Sequence, residues 1–90
     1  MENLSLEFFS NDKYKILQII YDNGVLIENT HVTPLSQQNI SDIAHMSKPK
    51  VNKILNELKD LGYIVFVTGK GKYGITNKAE KVINTFRKGE

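Results

Sequence analysis

The sequence predicts a mostly helical α+β domain, with a three-helix core, a β-hairpin beside it and a further helix closing the chain. Three observations predict it. Apolar residues between Lys48 and Leu61 recur at helical spacing and stop at Gly62, two β-rich runs (63–67 and 73–76) flank a glycine-lysine tip, and charge is unevenly divided along the chain. Ninety residues with 40% hydrophobic side chains can build one core but hardly two. Residues 10–88 are therefore expected to form one domain preceded by an amino-terminal arm, 1–9.

The elements follow in order. A helix is expected from Asn11 to about Asp22, with Tyr14, Ile16, Leu17, Ile20 and Tyr21 as its apolar face and Gly24 beyond its end. Val25 to Pro34, β-branched and polar by turns, reads as a short strand or small hairpin. After Ser36 a second helix runs from Gln37 to about His45, with Ile40, Ile43 and Ala44 inward. The third, Lys48 to Leu61, points Val51, Ile54, Leu55, Leu58 and Leu61 to the core. Next come Tyr63 to Val67 and Tyr73 to Thr76 as a hairpin around Thr68-Gly-Lys-Gly-Lys72. Asn77 to Lys88 is the closing helix, with Asn77 and Glu80 spaced as a capping box and Ala79, Val82, Ile83 and Phe86 apolar. Three helix starts share a further signal. The pairs Phe9/Tyr14, Leu35/Ile40 and Met46/Val51 bracket Ser10, Ser36 and Ser47 as hydrophobic staples, which fix the angle of entry into a helix.

This order of elements is that of a winged helix-turn-helix, in which the second helix of the motif lies in the major groove of DNA. Taken at 100° per residue, the face of the third helix opposite its apolar stripe holds Pro49, Asn52, Lys53 and Asn56. Asparagine can pair bidentately with adenine and lysine can donate to guanine, so Asn52, Lys53 and Asn56 are candidate base readers. Lys48 and Lys50 flank them where phosphates would pass. The acids of this helix, Glu57 and Asp60, come late in it, leaving its first half free for a polyanion. At the hairpin tip Lys70 and Lys72 can meet the backbone or minor groove, with Tyr73 as a further hydrogen-bond donor.

Charge agrees. Residues 1–46 carry two Lys against six Asp/Glu, a balance of −4, and residues 47–88 carry ten Lys/Arg against three Asp/Glu, a balance of +7. Other function classes find little support. The chain has no cysteine, which excludes disulfides, thiol nucleophiles and cysteine-ligated metal. His31, read as a loop residue, and His45, in the turn, have no ligand partner at metal spacing and no hydrolase motif beside them. Gly69-Lys-Gly71 lacks the Walker pattern and its following helix. No enzyme activity, metal or cofactor is expected. No apolar run approaches the ~20 residues of a membrane span, and Met1-Glu2-Asn3-Leu4 does not start like a secretory signal, so a cytoplasmic location is expected.

The stretch Asn39-Ile-Ser-Asp-Ile-Ala-His-Met-Ser-Lys-Pro-Lys-Val-Asn-Lys-Ile-Leu-Asn-Glu-Leu-Lys-Asp-Leu-Gly-Tyr-Ile64 resembles the helix-turn-helix of MarR-like and IclR-like transcription regulators. Tyr73-Gly-Ile-Thr-Asn-Lys-Ala79 is similar to the strand-to-helix step after their wing. The resemblance covers about residues 10–88. It implies that Ser47 caps the recognition helix, that Lys48, Pro49, Lys50, Asn52 and Lys53 face DNA, and that Lys70 and Lys72 are wing contacts. Two positions depart from the pattern. His45 stands where these families place a turn glycine, and Ser41 where a small residue opens the second helix. The chain has neither the long flanking helices of MarR dimers nor the ligand domain of IclR proteins, so no effector is inferred. The expected function is that of a sequence-specific regulator bound to double-stranded DNA. A homodimer is expected, with Leu4, Leu6, Phe8, Phe9 and the last helix as its interface. The alternative is a winged helix that docks on another protein.

Overall fold

A computed structural model describes residues 12–27, 29–67 and 73–88. Their order is α1 (Asp12–Asp22), β1 (Val25–Ile27), β2 (Thr30–Thr33), α2 (Gln37–Ala44), α3 (Lys48–Asp60), β3 (Ile64–Phe66), β4 (Tyr73–Ile75) and α4 (Asn77–Lys88). This is a winged helix-turn-helix, mostly helical. The arm 1–9 and the tip residues Lys70 and Lys72 lie outside the described residues.

The core lies where α1, α2 and α3 meet. Ile16, Leu17 and Ile20 of α1, Ile40 and Ala44 of α2, and Val51, Ile54, Leu55 and Leu58 of α3 are buried together with Tyr63, Ile64, Ile75, Ala79 and Ile83. Phe86 lies outside the described side chains, and among the described ones two expected core residues are exposed. Ile43 is 44% exposed and Leu61 46% exposed. In α2 the buried set is Ile40, Ser41 and Ala44, a face that turns Ile43 to its flank and admits the small Ser41 instead. Leu61 is already the C-cap of α3, where the chain leaves the helical path.

The segment 25–34 forms a hairpin, β1 with β2, whose turn residue Asn29 has φ 69°. Its second strand also pairs with β4, so a four-stranded antiparallel sheet runs in the order β1-β2-β4-β3. His31, expected in a loop, is thereby a strand residue opposite Leu26 and Ile75. Gly74 sits inside this sheet, opposite Val32 and Val65, and a Cβ there would come within 3.1 Å of Val65 and 3.2 Å of Val67.

The cap of α4 also differs from expectation. The Thr76 hydroxyl accepts the Ala79 amide at 3.2 Å, and the Thr76 carbonyl accepts the Glu80 amide. Thr76 is therefore the N-cap, and Asn77 the first helical residue. The same hydroxyl lies 2.8 Å from the Gly62 carbonyl and 3.1 Å from that of Tyr63, tying the end of α3 to the start of α4. Glu80, released from the capping box, holds His31 Nδ1 at 2.8 Å.

Candidate nucleic-acid interface

The turn that presents α3 spans Ala44 to Ser47. His45 adopts φ 59°, ψ 44°, the left-handed conformation usually left to glycine. The amides of His45 and Met46 both reach the Ser41 carbonyl, and the Ser41 hydroxyl donates to the Met46 carbonyl. Ser41 is 7% exposed, and its small size lets the turn fold back over α2. The two departures from the expected pattern thus compensate each other within one turn.

Ser47 then caps α3, its hydroxyl accepting the Lys50 amide at 3.3 Å, and Pro49 occupies the first turn, where a missing amide costs nothing. Gln37, at the start of α2, donates to the Lys48 carbonyl at 3.1 Å and so joins the amino-terminal ends of both helices. The far end is closed by a Schellman turn. The amides of Gly62 and Tyr63 bond the carbonyls of Lys59 and Leu58, with Gly62 at φ 84°.

Between these fixed ends the face away from the core carries the expected residues. Ser47, Lys48, Pro49, Lys50, Asn52 and Lys53 are exposed, and Asn56 is half-buried. Asn56 Nδ2 donates to the Asn52 carbonyl at 2.9 Å and to Asn52 Oδ1 at 3.3 Å, so the two amides act as a coupled pair. Lys50, though exposed, is ion-paired: its Nζ lies 2.5 Å from Asp12 Oδ2 at the start of α1. That contact, with weaker help from Lys15 and Lys13, holds the Asp12 carboxyl below its ordinary pKa. Lys13 in turn stands 3.6 Å from Glu57.

Among the described residues, several cations of the positive half are engaged away from α3's outer face. Lys59 lies over the Phe66 ring, Lys78 bonds the Leu61 carbonyl and covers the Tyr63 ring, and Arg87 pairs with Asp22 at 2.6 Å against Tyr21. Lys48 and Lys53, by contrast, make no ion pair among the described residues, which leaves α3 its cations. Tyr73 is half-buried in β4, edge-on to Phe66 at 5.5 Å, and burial raises its pKa, so the phenol stays protonated as a donor.

Sequence reasoning missed Asp12 and Gln37. Gln37 had a signal, as the first residue after the Ser36 cap in a helix facing α3. Asp12 had none, since its partner is distant in the chain.

The Crp-like helix-turn-helix domain family matches residues 15–80. The chain belongs to this family. The expectation of a helix-turn-helix regulator holds, and the matching branch is Crp-like, with nothing that singles out the MarR-like or IclR-like groups. Solved structures agree with the fold. Reduced CprK without ligand is similar at 27% identity and a TM-score of 0.55, over 74% of this chain and 34% of that one. CprK with o-chlorophenolacetic acid is similar at 24% identity and a TM-score of 0.56, over 88% and 35%. The reduced CO-sensing protein from R. rubrum is similar at 22% identity and a TM-score of 0.67, over 89% and 38%. The Crp-like chain thus spans between a third and two-fifths of these proteins' length. No protein of curated function matches its sequence. A Crp-like helix-turn-helix is a DNA-binding domain of transcription regulators, not an enzyme. Among the described residues no helix is long and apolar enough to cross a membrane.

Proposed function

We propose that this Crp-like domain is the sequence-specific reader of a transcription regulator, with α3 in the major groove of double-stranded DNA. The observation that carries this is the first half of α3: exposed Lys48, Asn52 and Lys53 on a helix fixed at both ends and packed on a rigid core. Lys53 and the coupled pair Asn52/Asn56 read base edges, while Ser47, Lys48, Pro49 and Lys50 meet the backbone. Lys70, Lys72 and Tyr73 complete the contact from the wing, on the backbone or in the minor groove. Residues 10–88 act as one unit, in the compartment that holds the DNA, and as a homodimer on paired half-sites. Fluorescence-anisotropy titration with mixed genomic duplexes tests the proposal, and absence of salt-sensitive binding at low ionic strength overturns it.

One observation favours a protein contact as well. The edge strand β1 exposes all three of its residues, Val25 at 56%, Leu26 at 62% and Ile27 at 36%. Among the described residues no further strand pairs with this apolar edge, which makes it a place for another protein surface. Concentration-dependent sedimentation, with Leu26→Lys as the comparison, distinguishes a chain that self-associates through β1 from one that does not.

A further inference from the structure

Two ion pairs join α1 to α3, and they sit at different places on the helix proposed to meet DNA. Lys13–Glu57 lies on its later half. Asp12–Lys50 lies in its first turn, beside the Ser47 cap, with the two side chains about half exposed (51% for Lys50, 43% for Asp12). An acid at the start of α1 suits the helix dipole and needs no further reason. Its reach across to α3 is a separate matter.

We propose that Asp12 is an internal stand-in for a DNA phosphate on Lys50, an anion of the chain's own that weakens the hold of α3 on the nucleic-acid backbone. The proposal rests on the reading that α3 meets DNA. A carboxylate oxygen and a phosphate oxygen are the same kind of acceptor for an ammonium group, and each lowers the affinity for the other. Lysine offers one compact charge, without the fork by which arginine could grip two anions in parallel. Because Ser47 and Pro49 fix the backbone beneath Lys50, exchange of Asp12 for phosphate requires only side-chain rotation. Both groups remain in contact with water, so neither state strands a buried charge. The lowered pKa of Asp12 accords with a pair whose attraction is felt. The consequence is a restraint on sequence-independent binding, because a backbone contact made by Lys50 must first displace Asp12.

The test is anisotropy titration of the full 90-residue chain with labelled mixed-sequence duplexes across a salt series. Asp12→Asn is expected to bind about two- to fivefold tighter at low salt, the range implied by one exposed ion pair. The slope of log affinity against log salt should steepen, by up to about one unit, as Lys50 gains a phosphate. In a Lys50→Gln background the substitution at Asp12 should change nothing. Asp12→Ser, which keeps an acceptor at the start of α1, should act in the same direction, and thermal melts show that each variant is folded. Weaker binding by Asp12→Asn would mean that Asp12 positions Lys50 and overturns the proposal. Unchanged binding, or a gain that survives without Lys50, also overturns it. Failure of the DNA reading itself is recognisable separately, because the unmodified chain would then show no salt-sensitive binding.

Discussion

The Ser41 hydroxyl donates to the Met46 carbonyl across the turn in which His45 is left-handed. One buried hydroxyl thus secures the backbone that a non-glycine residue must enter at a cost.

This arrangement predicts opposite outcomes at the turns before and after α3. His45→Gly removes the left-handed penalty and should stabilise the domain by about 0.5–1 kcal/mol, after the extra unfolded-state freedom of glycine is counted. Gly62→Ala meets no atom within 4 Å, so its cost is conformational alone, about 1 kcal/mol. Urea unfolding followed by circular dichroism measures both, and a destabilised His45→Gly would refute the strain argument.

The cap of α4 is tested by two neighbouring substitutions. Thr76→Val removes the acceptor for the Ala79 amide and the donor to the Gly62 carbonyl, and should cost about 1–2 kcal/mol. Asn77→Ala touches only an exposed first-turn residue and should stay within about 0.5 kcal/mol. Equal losses would return the cap to Asn77.

Division of labour on DNA is checked by selection followed by titration. Asn52→Ala and Lys53→Ala should flatten the preference for a selected site over random duplex by about 1–3 kcal/mol each. Lys70→Ala should weaken all sequences alike and reduce the salt slope by about one. Equal effects on specific and random duplexes from all three would sink the distinction.

Asp12 provides a pH prediction. Its carboxyl is held below the ordinary 3.8 chiefly by the hydrogen bond from Lys50, so the pair's contribution to folding is complete above that value and fades as pH falls through the folded-state value. Carboxyl carbon shifts followed by NMR should show the Asp12 midpoint rising toward 3.8 in Lys50→Gln. An unmoved midpoint would show that the pair does not form in solution.

The helices were legible in the sequence because periodicity, serine caps and Gly62 are local signals. The sheet was legible only in pieces. A hairpin can be read from turn chemistry, but pairing of β2 with β4 joins residues about 40 positions apart, Val32 with Gly74, and no local pattern announces it. The same reason hid Asp12 from Lys50 and Glu80 from His31. Ile43 and Leu61 misled for another reason: an apolar side chain at the flank or end of a helix fits the period without having a core to enter. The exposure of Pro49, Asn52 and Lys53 on α3 could be read, since residues on one helix carry their neighbours with them, whereas Asn56 is half-buried.

Val25, Val32, Gly74 and Val65 form one row across all four strands. Loss of a single residue inside any strand would put that row out of step, whereas length can vary at the hairpin tips without disturbing it. The row thus tolerates a change of length between strands and not within them.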